Sequence, residues 1–134
     1  MSVYDPRRCV LGEGPLWHPE RRQLFWFDIM DRKMMSREAG RPLIWPFDDC
    51  VSAAGWVDRD RLLIASETRL FLFDLTTETD ETLIPLEADN PVTRSNDGRA
   101  DPWGGFWIGT MGHHAEKQAA SIYRYYKGEL RRLV

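Results

Sequence analysis

The sequence of 134 residues has only two cysteines, Cys9 and Cys50, and no apolar run long enough to cross a membrane. Two isolated cysteines form no metal-binding pattern, and a membrane-spanning helix needs about 20 apolar residues. The N-terminus has no apolar segment or cleavage site typical of a signal peptide. These absences predict a cytoplasmic protein with reduced thiols and no membrane partner, although a disulfide stays open.

An excess of basic charge is also missing. The formal net charge is −3, and the arginines alternate with acidic residues, as in RDR at 59–61 and PERRQ at 19–23. Nucleic-acid binding needs clustered basic charge, so the sequence predicts no nucleic-acid partner. A hydrophobic content of 43% and a charged content of 29% are ordinary for one globular domain of this length.

Short segments rich in aromatic and branched residues dominate the chain. They are bounded by Pro, Gly, Asp and Asn, and no apolar pattern with a helical period persists between them. The segments lie at 23–30, 61–67, 69–75, 105–111 and 121–126. This pattern predicts an all-β protein.

Three segments of the sequence follow one plan, in which small residues lead through a polar turn into an apolar strand. They are GPLWHPERRQLFWFDI, AAGWVDRDRLLIASE and NDGRADPWGGFWIGT. The spacing of Leu24, Leu62 and Phe106, which we expect on the inner strands, is close to the ~40–50 residues of a four-stranded propeller blade. The repeat predicts about three blades, roughly 12–48, 51–87 and 93–134; a generic meander or sandwich is the alternative.

Three blades do not close a propeller. Propellers typically have ~4–8 blades, and an open arc would expose two apolar blade faces to water. We therefore expect either a homo-oligomer that joins 3+3 blades or a C-terminal half that completes the ring.

Two motifs carry a resemblance to a known family. LGEGPLWHPERRQLFWFDI at 11–29 and RSNDGRADPWGGFWIGTM at 94–111 together resemble the SMP-30/gluconolactonase/regucalcin-like family. The resemblance implies the N-terminal half of a six-bladed propeller with one divalent cation at the top of its channel. It also implies hydrolysis of sugar lactones such as gluconolactone, with the cation polarising the lactone carbonyl.

The resemblance assigns roles to individual residues. Glu13 matches a metal ligand, and Arg94 and Asn96 match residues that hold the substrate. His114 aligns with a substrate-binding glutamate of some relatives, which is a departure from the family pattern. The other metal ligands of the family, including the aspartate that is the usual general base, would lie beyond Val134, so we expect no catalytic residue within this chain. Oxygen ligands suit Ca²⁺, Mg²⁺ or Mn²⁺, and Zn²⁺ stays open.

The same motif residues also have purely structural interpretations. A glutamate between glycines is often a solvated loop residue, and NDG at 96–98 is typical of a hairpin turn. We predict that NDG forms such a turn and also presents Arg94 and Asn96, which lie two residues apart on one face of a strand.

Four other polar residues are expected to have no role in the site. We predict that His18 lies at the surface and that His113 faces solvent, because adjacent histidines on a strand point to opposite faces. Asp28 and Asp74 recur at equivalent blade positions, which predicts a structural role at strand ends.

The six tryptophans are expected to fill the spaces between blades. Trp17 and Trp107 are open to a second interpretation, as walls of a sugar pocket.

Two hypotheses about function follow. The chain is a metal-dependent sugar-lactone hydrolase if the propeller is completed, or a catalytically incomplete half-propeller that serves as a fragment or as a binding and assembly module. Lactone hydrolysis with and without a chelator separates the two.

Overall fold

The computed structural model describes all 134 residues, and the chain contains twelve strands and no helix. No segment could therefore cross a membrane as a helix. The strands are β1 Gly12–His18, β2 Gln23–Asp28, β3 Lys33–Glu38, β4 Arg41–Pro46, β5 Val51–Trp56, β6 Arg61–Ser66, β7 Arg69–Asp74, β8 Asp80–Pro85, β9 Thr93–Ala100, β10 Phe106–Gly112, β11 Ser121–Tyr126 and β12 Glu129–Arg132.

Each group of four consecutive strands forms one antiparallel sheet. The first sheet is β1–β4, the second is β5–β8 and the third is β9–β12, and in each the strands lie in chain order. The predicted fold class, all-β with three four-stranded blades, is confirmed.

Two apolar cores join the three sheets. The first core packs β2 of the first sheet, through Phe25 and Phe27, against Leu62 and Ile64 of the second sheet. The second core uses the alternate residues of β6, Leu63 and Ala65, against Phe106 and Ile108 of the third sheet. This alternation follows from the two-residue period of a strand, which points neighbouring side chains to opposite faces. The sheets therefore stack face to face along an arc.

The first strand of each sheet is the innermost one. β1, β5 and β9 lie next to one another across the sheets, so they line the inside of the arc. The prediction that Leu24, Leu62 and Phe106 lie on inner strands is therefore wrong, because they belong to β2, β6 and β10. The inner strands contain several small residues, as in VSAAGW, and have fewer branched and aromatic residues than β2, β6 and β10, so they are harder to recognise in the sequence.

The predicted NDG turn is also wrong. Residues 96–98 lie inside β9, which continues to Ala100. Asn96 and Asp97 form a bulge between the pairs Ser95–Thr110 and Gly98–Ile108. Gly98 has no positive φ; a Cβ there would lie 2.7 Å from the Trp107 carbonyl oxygen, so close packing explains the glycine.

The turn between β9 and β10 is instead built around Asp101. Its Oδ1 accepts hydrogen bonds from the amides of Trp103 and Gly105, at 2.9 and 2.8 Å. Its Oδ2 accepts from the Trp107 indole at 3.0 Å and from Arg124 at 2.9 Å. Desolvation opposes the change, but these hydrogen bonds lower the pKa of Asp101 to about 2.

Asp28 and Asp74 hold strand ends, as predicted. Asp28 accepts hydrogen bonds from the amides of Val10 and Leu11, at 2.9 and 3.0 Å. Asp74 caps the turn after β7, where its Oδ1 accepts from the amides of Thr76 and Thr77.

Candidate functional site

Glu13 lies at the start of the innermost strand β1, and its carboxylate is exposed with no hydrogen-bond or salt-bridge partner in the chain. The next residue, Gly14, has φ +61° and packs so closely against β5 that a Cβ would overlap the Ser52 carbonyl oxygen. Only glycine meets both conditions without strain. The GEG sequence therefore fixes the backbone beside Glu13 against the neighbouring sheet.

Arg94 is only 5% exposed and has no carboxylate partner. Its Nη1 donates to the Ser95 carbonyl at 2.9 Å and to Asn96 Oδ1 at 3.4 Å, while its Nε has no partner. A buried guanidinium normally has its charge paired and its five donors bonded. Arg94 therefore has donors free for the oxygen atoms of a ligand.

A buried hydrogen bond connects the strands on either side of this region. Ser52 Oγ and Ser95 Oγ lie 2.7 Å apart, and both residues are fully buried. Since Ser52 also contacts Gly14 and Ser95 lies between Arg94 and Asn96, the pair joins the two motifs in space. The structure thus brings the two sequence motifs into one neighbourhood.

Glu13 lines a cavity of about 410 Å³ between the three innermost strands. Asp97 and Arg99 of β9 also line this cavity, as do Trp17 of β1 and Trp56 of β5. Arg94 and Asn96 do not line it. The predicted site residues therefore divide into Glu13 on the cavity and a buried Arg94–Asn96 pair near it.

The three histidines have different surroundings in the structure. His18 is fully buried, contrary to the prediction; its Nε2 lies 2.8 Å from the Asp58 carbonyl oxygen, and its ring packs at a tilt against Trp56 with the centroids 5.1 Å apart. His113 and His114 follow the end of β10, so the argument from strand alternation does not apply. His113 Nε2 contacts Glu67 Oε2 at 3.1 Å, and His114 is exposed and lines none of the cavity around Glu13.

The tryptophans are less buried than predicted. Trp45 lies in the first core, but Trp17 and Trp107 are 56% and 40% exposed. Trp17 lines the cavity with Glu13, whereas Trp107 lies on the outer face of the third sheet. The prediction that all the tryptophans fill spaces between blades is wrong.

Trp56 and Arg99 were not predicted for the site. A signal for Trp56 was present, because Trp17 pairs with Leu24 and Trp56 pairs with Leu62, which are equivalent positions of the repeat. Arg99 directly follows the NDG sequence, which was expected to form a hairpin turn. In the structure β9 continues through this sequence with a bulge at Asn96 and Asp97, and Arg99 is therefore a strand residue beside the cavity.

No group of three or more His, Cys, Asp or Glu side chains gathers as a metal site. Glu13 is an exposed carboxylate facing a cavity, which suits one ligand of a hard cation. Asn96 Oδ1 is directed at Arg94. The residues of this chain therefore fit a partial ligand set for a divalent cation.

Comparison with known proteins gives consistent results. The model of the family described as SMP-30/Gluconolactonase/LRE-like region matches residues 11–134. A protein from Rhizobium meliloti (strain 1021), provisionally named a sugar lactone lactonase, is 42% identical over 115 residues, which cover 84% of this chain and 39% of that protein. The pentonolactonase XacC from Haloferax volcanii is 35% identical and covers 77% of this chain and 35% of its own length.

A solved structure extends the similarity to the fold. The calcium-binding protein regucalcin from Agrobacterium tumefaciens str. C58 superposes with a TM-score of 0.93 and is 39% identical, over 96% of this chain and 44% of that one. The chain thus spans less than half the length of these relatives.

Proposed function

This chain belongs to the SMP-30/gluconolactonase/LRE-like family, and from that premise we propose that it forms part of a sugar-lactone hydrolase. The observation that carries the proposal is the buried Arg94 with an unpartnered Nε beside Asn96. A guanidinium fork binds the oxygen atoms of a lactone or of its product acid through two parallel hydrogen bonds. Arg94 and Asn96 then orient the substrate, and His114 is a further substrate contact of the proposal.

Glu13 holds a divalent cation in this proposal. The support is an unpartnered carboxylate that faces a cavity, together with the oxygen chemistry that Ca²⁺, Mg²⁺ and Mn²⁺ prefer; Zn²⁺ is the fourth candidate. When bound, such a cation polarises the lactone carbonyl. Since the chain supplies a partial ligand set, the other ligands and the general base come from outside residues 1–134.

We also propose that residues 1–134 are the N-terminal half of a six-bladed propeller, with blades at 12–48, 51–87 and 93–134. The sheets and their stacking support this division. Completion of the ring comes from a second copy in a 3+3 arrangement or from a C-terminal half. A cytoplasmic location is part of the proposal and is supported by the two free thiols, Cys9 and Cys50.

The outer face of the third sheet supports association. Equivalent positions of the second strands carry Phe25, Leu63 and Trp107, and the first two pack beneath the next sheet. Trp107 is 40% exposed, and Ile122 of β11, which pairs with Gly109 on the same face, is 44% exposed. The repeat thus presents a blade-packing face with nothing packed on it.

Hydrolysis of gluconolactone by the completed ring that contains this chain, followed by acid release with and without a chelator, tests the enzymatic proposal. We expect the chelator to abolish hydrolysis and Glu13→Gln to reduce it by about 100-fold, because a direct ligand matters at least as much as an outer-shell partner. Glu20→Gln, at an exposed turn, is the matched control and should keep the activity. Hydrolysis that survives chelation would contradict the role of the cation.

The alternative is a catalytically incomplete half-propeller that acts as a fragment or as a binding and assembly module. The partial ligand set favours it. A chain that folds but hydrolyses no lactone, with any of the four cations added, would support this alternative.

A further inference from the structure

The connection between the second and third strands differs in length among the three sheets. It spans residues 29–32 in the first sheet, 67–68 in the second and 113–120 in the third. In repeat proteins, insertions into single repeats lie in loops on one face, which is often the binding face. The segment 113–120, called the long loop below, is therefore a candidate for function.

The long loop begins beside Arg94. Met111, near the end of β10, pairs with Arg94 of β9, and the strand ends one residue later. The long loop follows directly and carries His114, the further substrate contact of the proposed function. The shape of this loop therefore decides where His114 lies relative to Arg94.

His113 attaches the start of the long loop to the second sheet. Its Nε2 lies 3.1 Å from Glu67 Oε2, and its amide donates to the Val92 carbonyl oxygen at 2.8 Å. Glu67 is held by the backbone of Cys50: its Oε1 accepts from the Cys50 amide at 3.0 Å, and its own amide donates to the Cys50 carbonyl at 2.9 Å. The contact thus joins the loop to a carboxylate that the second sheet fixes in place.

The other end of the long loop is held as well. Ser121, the first residue of β11, donates its amide to Thr110 Oγ1 at 3.1 Å, and Thr110 donates to Glu87 Oε1 at 3.2 Å. Tyr123 donates to the same Glu87 oxygen at 2.8 Å. Glu87 belongs to the connection that follows the second sheet. Residues at both ends of the loop are therefore attached to segments outside the third sheet.

The backbone inside the long loop adopts unfavourable conformations. Ala115 and Gln118 have φ of 56° and 60°, in the left-handed region that residues with a Cβ rarely adopt. The Glu116 carboxylate accepts a hydrogen bond from the His114 amide and packs on Gly112. Such conformations persist only where the surrounding structure holds them, and they cluster at ligand-binding sites. The attachments at its ends therefore help to keep the loop in this shape.

We propose that His113 is a positioning residue, which through Glu67 holds the long loop so that His114 contacts a sugar lactone bound at Arg94. The inference rests on the proposed function, because that function gives His114 its substrate. A contact that holds the substrate equally in the ground state and the transition state changes KM and leaves kcat unchanged. Loss of the His113–Glu67 contact should therefore raise KM.

Hydrogen exchange of residues 113–120, measured by mass spectrometry in the completed ring without substrate, tests the attachment. His113→Ala should make these amides exchange about threefold faster, because loss of a side-chain hydrogen bond lets the loop open more often. His113→Gln, whose side-chain amide can donate to Glu67, should exchange as the unchanged ring does. Lys117→Ala, at an exposed loop residue without hydrogen bonds, is the matched control. Exchange that His113→Ala leaves unchanged would overturn the inference.

Steady-state hydrolysis of gluconolactone by the completed ring tests whether His113 acts through His114. His113→Ala should raise KM about threefold with kcat unchanged, and it should have no further effect in a ring that already carries His114→Ala. The same rise in KM in both backgrounds would overturn the positioning role. A ring that hydrolyses no lactone would contradict the proposed function, whereas hydrogen exchange would still decide whether His113 holds the loop.

Discussion

The outer faces of the first and third sheets, at the two ends of the arc, differ in how far other residues cover them. On the first sheet, residues 1–11 cross the outer face: Tyr4 meets the edge of Trp26 at 6.2 Å, and the Arg7 guanidinium lies 5.5 Å from the same indole. Met35 beneath this segment is fully buried. On the third sheet no segment covers Trp107 and Ile122. Residues 1–11 thus cover part of one end of the stack, and the other end has no such segment.

The difference has a chemical basis in the first eleven residues. Asp5 receives hydrogen bonds from both Arg7 and Arg37, and Arg7 also donates to the Leu43 and Ser36 carbonyls. One acidic residue and two arginines thus attach an irregular segment to β3 and β4. The third sheet also has an aspartate–arginine contact, Asp101 with Arg124, but it holds a turn and leaves the face open.

The largest expected effect comes from the open face. If the third sheet associates with a second copy, the native mass is twice the 15.7 kDa of the chain. Ile122→Lys should return it to the mass of one chain, because a lysine charge cannot be buried unpaired between sheets. Size exclusion with light scattering measures the mass.

The control for this experiment is Val57→Lys, at an apolar residue of similar exposure in the turn between β5 and β6. It should leave the mass unchanged. An unmodified chain that is a stable monomer would contradict self-association, and would leave the C-terminal half as the occupant of this face.

The second prediction breaks the covered face. Arg7→Ala removes the hydrogen bonds to Asp5 and to two backbone carbonyls, and it uncovers Trp26. We expect the free energy of unfolding to fall by about 2 kcal/mol. Urea unfolding measures the change, with the exposed neighbour Arg8→Ala as the control that should stay within about 0.5 kcal/mol of the unchanged chain. Equal effects of the two substitutions would mean that the segment does not stabilise the first sheet.

Much of the fold was predictable because it depends on strands rich in aromatic and branched residues. β2, β6 and β10 carry such residues and repeat at even intervals, so the three sheets follow from them. The innermost strands were not predictable from composition: VSAAGW has small residues because neighbouring strands approach closely, and that approach is a tertiary property.

The site was predictable to a smaller extent. The motifs identified Glu13, Arg94 and Asn96, but the division between an open cavity and a buried pair depends on the bulge at Asn96 and Asp97. A bulge adds one unpaired backbone position without a unique sequence, so NDG was equally compatible with a hairpin turn. Arg99 lines the cavity only because the chain continues as a strand there.

The smallest expected effect compares the two aspartates by pH. The hydrogen bonds from Arg7 hold the pKa of Asp5 far below its usual range, and the pKa of Asp101 is lowered to about 2. A carboxyl whose pKa is lower in the folded state stabilises the fold above its unfolded pKa of about 3.9, and this contribution is lost as the pH falls through the folded pKa. The contribution of Asp101 should therefore disappear at a higher pH than that of Asp5.

Asp101→Asn and Asp5→Asn measure these contributions by urea unfolding between pH 5 and pH 2. Both should be less stable than the unchanged chain at pH 5, and the deficit of Asp101→Asn should disappear at a higher pH than that of Asp5→Asn. Asp89→Asn, at an exposed residue without hydrogen bonds, should follow the unchanged chain throughout. Stability deficits that stay constant down to pH 2 would show that the two carboxylates do not contribute through their charge. The two ends of the arc would then differ only in whether a segment covers the outer face.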